Sequence, residues 1–201
     1  MSKGSRLRAV FSVLAVGVAS LALAGTAGAS DGGGVAIQSR DACDPAAFPA
    51  GLCNPGDGSG GTVTFAELLA TVGQKHSHPA WRFTKDHLTV KRGTPVVAEF
   101  GRGGEVHSFT DVTATGFGPG CVAPLNGLIF ETDALAAMCG APDATGTGVN
   151  LGKILVGSPA ENIPASGLFP GQPLTIDTST RGTRLFQCMI HPWMTTTLTV
   201  E

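Results

Sequence analysis

The 201-residue chain carries 15 acidic against 13 basic side chains, a formal net charge of -2, with 29 glycines, 13 prolines and no tyrosine. A mildly acidic chain without a dense basic face is a poor match for nucleic acid, and its length suits one sizeable core rather than two. With only 14% charged residues, this composition favours a loop-rich β domain over a helical bundle.

The first residues, with Lys3, Arg6 and Arg8, then an apolar run from Ala9 to Ala24 and Ala27-Gly28-Ala29, describe a secretory signal cleaved near Ala29. Export is therefore expected, to the periplasm or beyond, and the mature protein is expected to have no membrane span. Removing residues 1–29 leaves 172 residues, with ten basic and fifteen acidic side chains and a formal charge of -5. In an oxidising compartment disulfides are the default for cysteine. Five are present, and proximity pairs Cys43 with Cys53 and Cys121 with Cys139, leaving Cys188 free. Each such bridge is worth about 3 kcal/mol.

Residues 30–62 are Gly-, Asp- and Pro-rich and read as an extended arm with a stapled loop, ahead of a domain spanning 63–201. Thr64 and Glu67 have the spacing of a capping box, predicting a short helix with Phe65, Leu68, Leu69 and Val72 on one face. The sandwich is expected to begin near Trp81. Strands are predicted at Leu88–Lys91, Val96–Phe100, Val106–Val112, Pro173–Asp177, Arg184–Cys188 and Thr195–Val200, separated by turn signals. Between about 113 and 170 the pattern dissolves. A structureless loop of that length is implausible in a compact domain. An ordered, disulfide-tied insertion is expected there, with a helix around Thr132–Met138 and a strand near Lys153–Val156. The fold class is all-β, a Greek-key β-sandwich with a short N-terminal helix and this insertion.

Cys188, His191 and Met194 stand in the order Cys-x2-His-x2-Met near the C-terminus. Thiolate and thioether suit Cu(I), while imidazole and thiolate suit Cu(II), so the metal expected is copper. His107, following Gly103-Gly104 in a predicted strand, is the candidate second imidazole. The metal ligands are therefore His107, Cys188, His191 and Met194. A lone buried cysteine or strand histidine is more often plain core, and it is the grouping that gives these residues weight. His76, His78 and His87 form no comparable group, and the Lys75–His78 stretch reads as a solvated linker.

At these residues the chain resembles the cupredoxins, or blue copper proteins, its ligand loop being most similar to those of amicyanin and plastocyanin. The likeness rests on His107, Phe186 two residues before Cys188, the tight ligand loop, the final strand from Thr195, and Trp81-x-Phe83 with Leu88-x-Val90-x-x-Gly93. It implies a mononuclear type 1 copper site and a monomeric electron carrier, not an enzyme, passing single electrons between a donor and an acceptor redox protein. Copper delivery, storage or sensing without turnover is the alternative. Ser108 departs from the Asn common in the family after the first histidine; its backbone N–H is still expected to point at the Cys188 sulfur. The gap from His107 to Cys188 is about twice that of a minimal member, and the insertion is expected to shield one rim of the metal loop. Flanked by Pro192 and Trp193, His191 is expected to face solvent, to pass electrons outward, and to leave the reduced metal in mild acid, raising the potential as pH falls.

Overall fold

The computed structural model describes residues 34–55, 60–141 and 148–201; the signal segment and its cleavage site lie outside them. In chain order, Val35–Arg40 is β1, Phe65–Lys75 α1, Arg82–Phe83 β2, His87–Val90 β3, Val96–Arg102 β4, His107–Ser108 β5 and Thr110–Asp111 β6. Ala123–Phe130 is α2, Gly152–Val156 α3, Gly167–Leu168 β7, Leu174–Ile176 β8, Gly182–Gln187 β9 and Thr195–Val200 β10.

Two four-stranded sheets form the sandwich, ordered β2-β1-β4-β8 and β3-β10-β9-β6. The chain changes sheet repeatedly, which is the Greek-key character expected. Alternation does the sorting: Ile37, Val96, Ala98 and Ile176 of one sheet and Val90, Phe186, Leu198 and Val200 of the other are buried in one core. Phe109 lies stacked on Phe186 at 4.4 Å between centroids and meets Phe83 edge-on at 5.0 Å, tying the two sheets together.

The α1 helix begins as its sequence requires. Thr64 Oγ1 accepts the Glu67 N–H while the Glu67 carboxylate accepts the Thr64 N–H, and Leu68 and Val72 are buried. His76 adopts a left-handed conformation at its C-cap, donating its N–H to Val72 O, so it serves the helix end.

Four local expectations differ from the structure. Part of the expected arm is β1, which pairs in parallel with β4 over its whole length, so the sandwich begins at Val35 and not near Trp81. Its signal is the alternation of Val35, Ile37 and Ser39 facing inward, hidden by glycine-rich flanks. The strand expected over 106–112 is divided, because β5 leaves the main sheets to pair with β7 of the insertion. Helix α2 lies upstream of Thr132–Met138, where a single 3-10 turn spans Ala137–Cys139. Lys153–Val156 belongs to α3, with Ile154 buried against Cys121, Cys139 and Met189; a short apolar run does not distinguish strand from helix. Both expected disulfides are present, and Cys188 is free.

Candidate metal centre

The antiparallel ladder between β9 and β10 pairs Gln187 with Thr195, so residues 188–194 must turn back within one tight loop. Cys188 N–H donates to Met194 O and Met194 N–H to His191 O, each at 2.9 Å. These bonds hold Cys188, His191 and Met194 to one end of the sandwich. His107 reaches the same end from β5, which the insertion holds by its pairing with Leu168.

The donors converge. Nδ1 of His107 and Nδ1 of His191 each lie 3.9 Å from the Cys188 sulfur, and the three ligand atoms all fall within 4.8 Å of one another. Among the described residues this is the one group of three or more His, Cys, Asp or Glu side chains so placed. His107 and Cys188 are fully buried, and Met194 is 1% exposed in the main core beside them. The expected bond from the Ser108 N–H to the Cys188 sulfur is present at 3.4 Å, and Ser108 Oγ accepts the Met189 N–H at 2.9 Å, a second tie between the two segments.

His191 is 1% exposed, which corrects the expectation that it faces solvent. Its ring sits between Trp81 and Trp193, with the Trp193 ring 5.3 Å away and roughly perpendicular, and its Nε2 lies 3.4 Å from the Glu105 carboxylate. That carboxylate also accepts the Trp81 indole N–H. The acid-induced loss of a solvent-facing ligand has no basis in this geometry.

Sequence reasoning missed two residues, Asp41 and Glu105, which back the two imidazoles. Asp41 Oδ2 lies 2.9 Å from His107 Nε2, and its carboxylate also accepts the N–H groups of Cys43, Gly104 and Glu105. Gly103 makes this approach possible: a Cβ there would fall 2.0 Å from Asp41 Oδ2, and φ is +134°. A carboxylate on the outer nitrogen fixes the ring and leaves Nδ1 to face the centre. Glu105 shares the His107 side of an alternating stretch, a weak signal that was available. Asp41 is 66 residues from His107 and had none.

Electrostatics follow from these contacts. Burial works to raise the Cys188 pKa, but hydrogen bonds and charge from His107 and His191 outweigh it and hold the thiol well below its ordinary 9.0. Burial works to lower both imidazoles. For His191 it is overcome by the Glu105 charge and by Cys188, which push the pKa up to about 10. For His107 the hydrogen bond it gives to Asp41 leads the opposing effects, and the net direction is also upward.

The insertion packs on the residues flanking Cys188. Gly118 and Gln187 exchange reciprocal hydrogen bonds, and Cys121 N–H donates to Met189 O at 2.6 Å. His78 accepts the Ala80 N–H and packs edge-on to Trp81, a structural role. No helix among the described residues is long and apolar enough to cross a membrane.

No family model and no curated protein matches the chain. Similar solved structures include a purple cupredoxin from Nitrosopumilus maritimus, at 17% identity over 62% of this chain and 86% of that one, with a TM-score of 0.33. Oxidised plastocyanin from Dryopteris crassirhizoma matches at 24% identity over 60% and 89%, TM-score 0.29, and reduced auracyanin from Roseiflexus castenholzii at 23% over 60% and 87%, TM-score 0.32. Scores this low leave the reading of the site to rest on its own side chains.

Proposed function

We propose that this chain is an exported type 1 copper protein of the cupredoxin kind, a carrier of single electrons between redox proteins rather than an enzyme, with His107, Cys188, His191 and Met194 as ligands. The observation that carries the reading is the convergence of two imidazole Nδ1 atoms on one buried, unpaired thiol, each ring held from behind by a carboxylate. The donor set fits: a thiolate, two imidazoles and a thioether suit copper in both oxidation states, whereas structural zinc favours four strong thiolate or imidazole donors.

Bound copper would supply a one-electron couple at a thiolate-ligated centre. The protein's part is to keep its donors still as the charge changes. Asp41 and Glu105 fix the imidazoles, the Ser108 N–H steadies the sulfur, and the bond from Cys188 N–H to Met194 O closes the loop. Trp81, Phe109, Phe186 and the partly buried Trp193 exclude water. Four protein donors leave no open position for a substrate, which favours electron transfer over redox catalysis. Since His191 is enclosed, Trp193, packed on it and half-buried, is the route outward, anchored by its indole N–H to Trp81 O at 3.1 Å.

The test is copper reconstitution of the mature chain with visible and electron-spin spectroscopy, alongside Cys188→Ser, then stopped-flow oxidation and reduction by small complexes. An intense sulfur-to-copper band, absent in the variant and cycling with redox state, is expected. A colourless copper complex, or the same spectrum in Cys188→Ser, would refute the site. A blue centre that passes Cu(I) to an acceptor but does not cycle would favour delivery or storage.

A further inference from the structure

Arg40, Arg82 and Arg102 stand side by side across three strands. Arg40 of β1 is directly opposite Arg82 of β2 on one side and Arg102 of β4 on the other, and all three line one cleft of about 340 Å³ closed by residues 60–62. Three like charges in directly paired positions repel, which sheets ordinarily avoid by alternating charge. Among the described residues none of the three makes an ion pair. Asp41, which lines the same cleft, is engaged with His107 and backbone N–H groups, and Glu99 with the Gln38 amide. Arg82 gives one N–H to Pro79 O and Arg40 one to Gln38 Oε1, but the Nε–H of Arg40 is buried with no acceptor.

Three guanidinium groups side by side along a concave site, in a chain of net negative charge, are the arrangement that recognises an oxyanion through forked hydrogen bonds. We infer that the cleft binds a small divalent oxyanion, inorganic phosphate or a phosphomonoester. Its concavity and the half-buried Arg40 favour a small ligand over a flat acidic protein face. The anion would relieve the repulsion along the row and so stabilise the sandwich at β1. The three arginines are not among the candidate metal ligands, and the variants below leave Asp41, which lines the cleft and backs His107, unchanged, so the test stands apart from the copper reading.

Inorganic phosphate titrated into the full chain by calorimetry at low ionic strength should bind saturably at one site. Affinity should fall about tenfold in Arg102→Gln and again in Arg82→Gln, both exposed and safe for folding. Phosphate should also raise Tm in the parent and not in the double variant. Heat that never saturates, binding unchanged in the variants, or equal stabilisation by chloride at matched ionic strength would overturn the assignment. So would a glutamate-rich peptide that binds where phosphate does not, which would make the row a protein-docking surface.

Discussion

Replacing Asp41 by Asn tests whether the carboxylate behind His107 holds the metal end of the fold together before any metal arrives. Asp41 accepts four hydrogen bonds, from His107 Nε2 at 2.9 Å, Gly104 at 3.0 Å, and Cys43 and Glu105 at 3.2 Å. Asn keeps the volume and one oxygen but turns an NH2 group toward donors, leaving one or two of them unpaired in a buried site. At about 1–3 kcal/mol for each such donor, the metal-free variant should lose about 2–4 kcal/mol. For a domain of this size that corresponds to a fall in Tm of roughly 5–12 °C.

The pH dependence is specific. Burial acts to raise the Asp41 pKa, but the hydrogen bond and charge of His107, with the Gly104 and Cys43 N–H groups, hold it below its ordinary 3.8. Its contribution is therefore complete above that value and is lost as pH falls through the lower, folded one. His107 runs the other way: its pKa is raised, so its contribution is complete below the ordinary 6.5 and lost as pH rises through the folded value. The gap between parent and variant should be widest from about pH 4 to 6.5 and narrow on either side. Urea denaturation of both metal-free proteins across pH 3–9 measures it. A gap under about 0.5 kcal/mol, or one flat across that range, would refute the reasoning. With copper loaded, removing a negative charge beside His107 favours the reduced state, so the midpoint potential should rise.

Ser108→Ala removes the acceptor of the buried Met189 N–H and should cost about 1–2 kcal/mol by denaturation while leaving the backbone bond to the sulfur, and hence the energy of the charge-transfer band, in place. Breaking the Cys121–Cys139 bridge with paired serines should cost about 3 kcal/mol, read by the same denaturation, and loosen the metal through Met189, read as faster loss of copper to a chelator. Trp193→Leu should slow electron exchange with small complexes in stopped flow several-fold without moving the potential, because it thins the path from His191 and leaves the ligands in place.

The part of the site written in consecutive residues was legible. Cys188, His191 and Met194 are fixed by one loop, and that loop is fixed by the register of β9 on β10, which alternation and turn chemistry reveal. His107 was legible as a chemical type beside a glycine pair, and the two disulfides as neighbours. Strands bounded by turn signals are legible, whereas β1, although it alternates, lies within glycine-rich flanks and pairs with β4 about 60 residues away, so nothing local marks it. Lys153–Val156 is too short to show a period, so its sequence does not separate the helix α3 from a strand. The burial of His191 and the place of Asp41 behind His107 both depend on what the rest of the chain folds over the loop, which no local pattern carries. Local sequence specifies donors, and only tertiary packing specifies what stands behind them.

With Asp41 and Glu105 on the outer nitrogens, the metal-free centre sets a thiol whose pKa is held well below 9.0 against two imidazoles whose pKa values are raised, that of His191 to about 10. A metal reaching this site takes the Nδ1 of His191, which a proton occupies at neutral pH, so binding must release that proton, and affinity must weaken as pH falls from the alkaline side toward neutral. The direction is opposite to that of a site in which a neutral, solvent-facing histidine waits for its metal and loses nothing until mild acid. Proton release on titrating copper into weakly buffered protein at pH 7 and pH 10 separates the two. Release that is larger at pH 7 supports carboxylate-backed imidazoles, and equal release at both would mean that Asp41 and Glu105 orient the rings without charging them.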